Sequence, residues 1–369
     1  MLILTASYGS GHNAAARSLA AAFARAGAEP VVVDHFRELV HPAFARLSRA
    51  LYYALLRRAP MVWGIGYTLG DWMASDSPLT FGMTRLGTRR LADRLRALAP
   101  DMVVTVHATP AVAMSCLGRV GASVPPHTTV VTDFVAHSQW IAPGIDRYCV
   151  AAEEVKHEFI ARGIPPDRIV VTGVPVCADF EEPVDPVRAR EALALRLDAP
   201  VVLAMAGSRG ALGRLPHVAG ALRDAPRPLQ GVVIAGDDDR LLATLQRMTR
   251  GSAIRALGRV ADVRQLMAAA DLLITKAGGM TLAEAIAAGL PILAYGSLPG
   301  QERRNERFAS RAGIALVARS RGELARALDR ALGDPPLLAG LRERMDSRRQ
   351  PQAARRIVSA VLARDVIVA

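Results

Sequence analysis

The stretch DLLITKAGGMTLAEAIAAGLPILAYGSLPGQERRN, residues 271–305, decides the fold class. An apolar run ends at Thr275, two glycines stand at 278 and 279, and an alanine-rich helical pattern starts near Thr281. That helix stops at Gly289, and Pro291 opens the next apolar run. Strand, glycine turn, helix and strand in this order predict a parallel βαβ unit. Gly278 and Gly279 let the backbone approach a ligand, and the helix start offers free N–H groups, so a diphosphate fits there. The Thr281–Glu284 spacing also suits a capping box, which would make the turn purely structural. The loop PGQERRN then places Gln301, Glu302 and Asn305 past a strand's carboxyl end, where such sheets bind ligands. Amide and carboxylate groups suit the vicinal hydroxyls of a sugar.

The same alternation runs along the whole chain. PVVVDHF, DMVVTVHA, TTVVTDF, RYCVAA and RIVVTGVPV precede residue 198, and APVVLAMAGSRG, GVVIAGDDD and LPILAYG follow it. The fold class expected is α/β, with two doubly wound, Rossmann-like domains and a ligand cleft between them at the strands' carboxyl ends. Residues 1–178 form the expected N-terminal domain, 179–198 a linker rich in proline and acid, and 199–345 the C-terminal domain. A helical segment, 346–369, closes the chain, with a return to the N-terminal domain as one option. The turn AGSRG, 206–210, is a second strand end with a glycine nest and an arginine, Arg209, suited to phosphate.

Residues 36–100 break the rhythm, with ten basic residues against four acidic ones. There AFARLSRALYYALLRR puts Phe44, Leu47, Leu51 and Leu55 on one helical face, opposite Arg46, Arg49 and Arg57. MVWGIGYTLGDWM follows, with aromatics among glycines. The element is either a helix packed on its own domain or a basic amphipathic element at a lipid headgroup layer, with Trp63, Tyr67 and Trp72 as interfacial anchors.

Composition narrows the partners. The 369 residues are 51% hydrophobic and carry a net charge of +12, with two lysines (Lys156 and Lys276) against 44 arginines. Arginine and alanine are inflated together, as base-composition drift would produce; the positive surplus favours phosphate-bearing ligands, nucleic acid or an anionic membrane. Three cysteines (Cys116, Cys149, Cys177) show neither disulfide nor metal spacing, which fits a reducing compartment. No basic region precedes the apolar start, so no signal peptide is expected. No apolar run approaches the ~20 residues of a membrane span. The expected location is the cytoplasm, peripheral on the inner face of the cell membrane.

SYGSGHNAAA, TDFVAHSQWIAPGIDRYCVAAEEV, VVTGVPV and TKAGGMTLAEAIAAGLPILAYGSLPGQERRN together resemble glycosyltransferase family 28. The branch they resemble is that of the monogalactosyldiacylglycerol synthases and processive diacylglycerol glucosyltransferases, from residue 2 to about residue 318. The resemblance implies a GT-B fold and a UDP-sugar donor, UDP-glucose or UDP-galactose, on the C-terminal domain. It implies a diacylglycerol acceptor on the N-terminal side and inversion at the anomeric carbon. Glu284 would hold the ribose, Gln301 and Glu302 the sugar, and Gly278, Gly279 and Thr281 the diphosphate. The backbone near Val260 would edge the uracil. Gly11, Gly207, Ser208, Arg209, Lys276, Gly300 and Asn305 complete the implied donor set. Asp133, His137 and Trp140 belong to the motif of the lipid branch; Asp133 and His137 would orient the acceptor or His12, and Trp140 would pack against the sugar or glycerol, with Asp71 and Asp76 as further acidic candidates.

The resemblance lands on His12 as the base. Its position after a glycine turn, at the positive end of a helix, disfavours imidazolium and keeps the ring neutral near pH 7. No metal cluster and no cofactor is expected; helix N–H groups, with Arg209, would neutralise the departing diphosphate. Other readings are a UDP-sugar epimerase of the same fold, a transferase acting on another lipid or small acceptor, or a UDP-sugar sensor. Nucleic acid is not expected as a partner, because no recognisable nucleic-acid module is present.

Overall fold

Strands of aliphatic residues build two parallel sheets in the computed structural model, which describes residues 1–72, 86–207 and 214–363. The described residues divide into two compact units, residues 1–178 with 350–369, and residues 179–349. The first unit holds β1 (Leu2–Thr5), α1 (Ser10–Arg25), β2 (Val31–Asp34), α2 (Pro42–Arg58), α3 (Pro60–Trp72) and α4 (Thr88–Leu98). It continues with β3 (Val103–Thr105), α5 (Ala108–Arg119), β4 (His127–Val130), β5 (Arg147–Val150), α6 (Glu153–Ile160) and β6 (Ile169–Val171). The second begins with α7 (Pro186–Ala192), β7 (Val201–Met205), α8 (Leu215–Arg223), β8 (Gln230–Ile234), α9 (Asp239–Met248) and β9 (Ile254–Leu257). Then come α10 (Arg264–Ala269), β10 (Leu272–Thr275), α11 (Gly279–Ala288), β11 (Ile292–Tyr295), α12 (Gln301–Arg311) and β12 (Ala315–Ala318). It ends with α13 (Arg321–Gly333) and α14 (Pro335–Asp346), after which α15 (Ala353–Leu362) belongs to the first unit.

Both sheets have six parallel strands, ordered β2-β1-β3-β4-β5-β6 and β12-β11-β10-β7-β8-β9. The inner strands are buried almost throughout, while the edge strands β2, β6, β9 and β12 are buried in part, as a sheet covered on both faces requires. In the first sheet β1 pairs with β2 on one side (Leu2 opposite Val31) and β3 on the other (Leu2 opposite Val103). In the second, β7 pairs with β8 (Val201 opposite Gln230) and with β10 (Val202 opposite Leu272). The winding therefore reverses at β1/β3 and at β7/β10, and each reversal opens a crevice at the strands' carboxyl ends.

The βαβ unit read from residues 271–305 is present, and Gly289 ends α11 in the left-handed region at φ +62°. Its helix starts two residues before Thr281, which changes the capping, as described below. Residues 179–198, expected as linker, carry α7, which packs on α10. Asp185 caps α7 from the position before Pro186, so the Asp-Pro pair marks a helix start. Arg190 of α7 donates to the Ala269 carbonyl (2.9 Å) and to Asp271 (2.7 Å).

The segment between β2 and β3 shows which helix faces are covered. Leu47 and Leu51 of α2 are 72% and 69% exposed, and α2 docks instead through Leu56, Ser48, Tyr52 and Tyr53. Along α3, Met61, Val62, Ile65, Leu69 and Trp72 are exposed, whereas Trp63 packs on Tyr52 and Tyr67 on His137. Residues 63 and 67 lie one turn apart on the inner face, so of the three aromatic anchors expected only Trp72 points outward. Among the described residues no helix is long and apolar enough to cross a membrane.

The apolar face of α15 (Ala354, Ile357, Val358 and Val361) is buried, and the helix packs on α1. Arg356 donates to the Val171 carbonyl at 3.1 Å. Truncating the fully buried Ile357 to alanine is expected to destabilise the first unit by about 2–4 kcal/mol in a denaturant titration. A loss below about 0.5 kcal/mol would show that α15 does not dock there.

Candidate active site

His12 is the third residue of α1, directly over the β1/β3 crevice. The turn before it is held by its own side chains. Thr5 Oγ donates to Asn13 Oδ1 (3.0 Å), Asn13 Nδ2 donates to Ser7 Oγ (2.9 Å), and the Ser7 hydroxyl donates to Asp34. Gly9 caps α1 without a side-chain bond. Across the crevice, the Val106 carbonyl just past β3 lies 2.8 Å from His12 Nδ1, and Thr132 Oγ1 lies 3.1 Å from the same atom. A carbonyl only accepts, so Nδ1 carries the proton and Nε2 keeps a free lone pair. Burial holds His12 below the ordinary histidine value of 6.5, against the opposing pull of the Asp133 charge and the Val106 carbonyl. This imidazole is neutral at pH 7, with its basic nitrogen unblocked by Val106.

His107, just past β3, packs edge-on against His12, with ring centroids 4.6 Å apart. It caps α5 by accepting the Thr109 N–H at 3.0 Å through Nδ1. Burial first, then His12 and His35, push its pKa well below 6.5. His12 and His107 both follow strands, and the winding makes those strands neighbours. Trp140 is buried with its indole 6.3 Å from the His12 ring, and Asp133 is also buried.

His137 and Asp71 stand a layer away. His137 is buried; its Nδ1 accepts the Gln139 N–H (3.1 Å) and its Nε2 donates to the Tyr67 carbonyl (3.0 Å). Asp71, near the end of α3, accepts the Ser138 N–H at 2.8 Å and pairs with both terminal nitrogens of Arg162 at 3.0 and 3.1 Å. Both residues fasten α3 to the loop that carries Trp140. Asp76 lies outside the described residues.

The β7/β10 crevice of the second unit gathers the other candidates. Gly207, two residues past β7, has φ +73°, a conformation that suits glycine, while Ser208 and Arg209 lie outside the described residues. From β10 the chain passes Lys276 and turns tightly, the Gly278 N–H bonding the Lys276 carbonyl at 2.8 Å. Gly278 is the N-cap of α11, with no side-chain cap, and among the described residues nothing beyond its chain neighbours lies within 4 Å of where its Cβ would stand. The first-turn N–H groups of α11 have no side-chain cap. Thr281 is the third residue of the helix and Glu284 the sixth, so the capping box is absent. Burial alone pushes Glu284 up to about 7.

Gly300, at φ +93° and ψ −127°, opens α12. Gln301 and Glu302 are half-buried in its first turn, and Asn305 is fully buried. Glu302 pairs with Lys276 through Oε1 and accepts the Leu298 N–H at 2.9 Å through Oε2. Val260 is half-buried in the loop after the edge strand β9. Gly11 precedes His12 in the first turn of α1, in the other unit. Among the described residues no group of three or more His, Cys, Asp or Glu side chains could hold a metal ion.

A family model of monogalactosyldiacylglycerol (MGDG) synthase matches residues 12–176, and one of glycosyl transferases group 1 matches residues 209–334. The processive diacylglycerol β-glucosyltransferase of Bacillus cereus is 33% identical over 368 residues, 98% of this chain and 93% of that protein. Its counterpart in Bacillus mycoides is 32% identical over 367 residues, with the same coverage. This chain belongs to glycosyltransferase family 28, in the branch of those enzymes. The crystal structure of MurG from Acinetobacter baumannii superposes with a TM-score of 0.66 at 16% identity, covering 98% of this chain and 99% of that one. The fold of this family 28 member is GT-B.

Glu284 sits in the fold at a cost. Its folded value, about 7, lies above its ordinary 4.5, so the neutral acid is the form the fold prefers. Stability is lost as pH rises from about 4.5 to about 7, by up to about 3 kcal/mol. Glu284→Gln is therefore expected to raise the melting temperature at pH 8 by roughly 3–8 °C, with the gain fading towards pH 5. An unchanged melting temperature at pH 8 would remove the burial cost.

Proposed function

We propose that this protein is an inverting glycosyltransferase that moves a hexose from a UDP-sugar to the hydroxyl of diacylglycerol, or of a glycosyl-diacylglycerol, at a membrane surface. The observation that carries the reading is the His12–Val106 bond, which leaves a neutral imidazole with Nε2 as a free base. The acceptor O–H gives its proton to Nε2 while its oxygen attacks C1 of the sugar on the face opposite the diphosphate. The C1–O bond to the diphosphate breaks with its electron pair, and UDP leaves. Asp133 favours the imidazolium that forms, because its charge raises the proton affinity of His12. Inversion of an α-linked UDP-hexose yields a β-glycoside, the product stereochemistry in the names of the relatives.

On the donor side, the uncapped start of α11 at Gly278, Gly279 and Thr281 takes the diphosphate. Glu284 accepts from the ribose hydroxyls, Gln301 holds the sugar, and the backbone at Val260 edges the uracil. Ser208 and Arg209, which follow β7 in the sequence, contribute to the donor site. The relatives named by activity are transferases, which favours this reading over an epimerase. The deciding experiment incubates the purified protein with diacylglycerol and a panel of UDP-sugars, UDP-glucose first, and follows UDP release. Release that ignores diacylglycerol would defeat the reading.

The exposed apolar stripe of α3, with Leu47 and Leu51 of α2, is the surface we assign to the bilayer, with Arg46 and Arg57 exposed beside it for anionic headgroups.

His12→Ala is expected to lower turnover roughly 10²- to 10⁴-fold while UDP affinity holds. In the wild type, the acid limb of kcat/KM should fall below pH 6.5, since burial lowers the pKa of the base. A limb above pH 6.5 would exclude His12. Replacing Leu47, Leu51 and Ile65 by serine should weaken binding to vesicles containing anionic lipid by roughly a hundredfold and leave the melting temperature unchanged. Unaltered vesicle binding would remove the bilayer from this face.

A further inference from the structure

Lys276 is one of two lysines in a chain with 44 arginines, and the other, Lys156, lies on α6 of the first unit. Where basic positions have gone so uniformly to arginine, a lysine at the β7/β10 switch point marks a task that a guanidinium does not perform. The geometry says what the task is. Lys276 sits between two glycine ends: a Cβ built on Gly207 would lie 3.9 Å from Lys276 Cε, and among the described residues nothing beyond its chain neighbours lies within 4 Å of where a Gly278 Cβ would stand. Its side chain is largely buried, as is that of Glu302, whose Oε1 pairs with the ammonium. Glu302 is itself fixed, because Oε2 accepts the Leu298 N–H at 2.9 Å. Among the described residues Glu302 is the acceptor for Nζ, and a tetrahedral ammonium keeps two further N–H donors beside the glycines.

We propose that Lys276 is the cation that neutralises the departing diphosphate, and that Glu302 is the positioning residue that aims it. This rests on the UDP-sugar reading above. When the bond from C1 to the diphosphate oxygen breaks, the electron pair stays on that oxygen, and the diphosphate gains one negative charge. The acceptor oxygen forms the new bond to C1, and its proton passes to His12 Nε2. Lys276 donates N–H bonds to the diphosphate oxygens and transfers no proton. An ammonium serves here because it is compact and presents its donors around a point, so it can bond Glu302 and a phosphate together. A guanidinium would need a planar fork of acceptors, and Glu302 has one oxygen already committed to Leu298. Glu302, expected on the sugar, thus acts through Lys276.

Leaving-group stabilisation has a signature that simple donor binding lacks. UDP carries the charge that develops in the transition state, and the UDP-sugar does not, so loss of Lys276 must weaken UDP more than the UDP-sugar. In the full-length chain, Lys276→Met is expected to lower kcat roughly 10²- to 10³-fold. Calorimetry should show UDP affinity falling at least about tenfold further than UDP-glucose affinity. Lys276→Arg should stay about tenfold or more below the wild-type kcat. Glu302→Gln should lower kcat in the wild-type background and do nothing more in Lys276→Met, as a double-mutant cycle reads a residue that acts through its neighbour. A Lys276→Met kcat within about threefold of wild type, or equal weakening of UDP and UDP-glucose, overturns the proposal. Should Lys276→Met not fold, wild-type kcat in both Lys276→Arg and Glu302→Gln overturns it instead. A wild type that releases no UDP from any UDP-sugar with diacylglycerol defeats the transferase reading. A wild type that transfers while the lysine variants are unimpaired defeats the lysine assignment alone.

Discussion

A parallel sheet whose winding reverses cannot cover the carboxyl ends of the two strands at the reversal, because their connections leave in opposite directions. In the first unit the crevice lies between β1 and β3, and the His12–Val106 bond is made across it. In the second it lies between β7 and β10, and Lys276 stands beside Gly207 there. Neither group could be placed this way on a simply ordered sheet. The register of β1 with β3, Leu2 opposite Val103 and Leu4 opposite Thr105, sets where Val106 meets His12. A slip of one residue would turn the side chains of β3 to the other face and carry the carbonyl away.

The chain accepts energetic costs around these crevices. Asp238, Ser320 and Asp334 cap α9, α13 and α14 through their side chains, whereas α1, α11 and α12 begin at glycines without such bonds. Glycine in place of a capping side chain costs about a few tenths of a kcal/mol, a small concession at each of these starts. Partial burial disfavours the charged form of Glu284 and the protonated forms of His12 and His107. The inner strands, buried on both faces, and the helices packed over them carry the stability that makes these exceptions tolerable.

Much of this was legible in residues 271–305, because glycine and proline punctuate the chain by local sterics that tertiary packing seldom overrides. Gly289 ends α11 in the conformation its missing Cβ allows. The start of the same helix was less legible. A Thr-x-x-Glu spacing looks the same whether threonine is the cap or the third residue, and the helix start at Gly279 decides between them. The pairing of His12 with His107 depends on which strands become neighbours, a property of the winding and not of either local sequence. Trp63 and Trp72 are nine residues apart on one apolar helix, and only the position of Tyr52 tells which of them faces inward.

The exposed apolar face and the turn that carries His12 are parts of one packed body. Tyr8, four residues before His12, donates from its hydroxyl to Ser48 of α2 at 2.6 Å, and Tyr53 of α2 donates to the Tyr8 carbonyl at 3.1 Å. Tyr52 packs edge-on against Tyr8 on one side and Trp63 of α3 on the other. Tyr67 then stacks on His137, whose loop continues to Trp140 beside the His12 ring. The chain of contacts leaves the crevice through one helix and returns to it through the next. Close-packed groups of this kind shift together. A displacement of α2 and α3 against the sheet therefore moves Tyr8 and the Trp140 loop, and through them both sides of the pocket around His12.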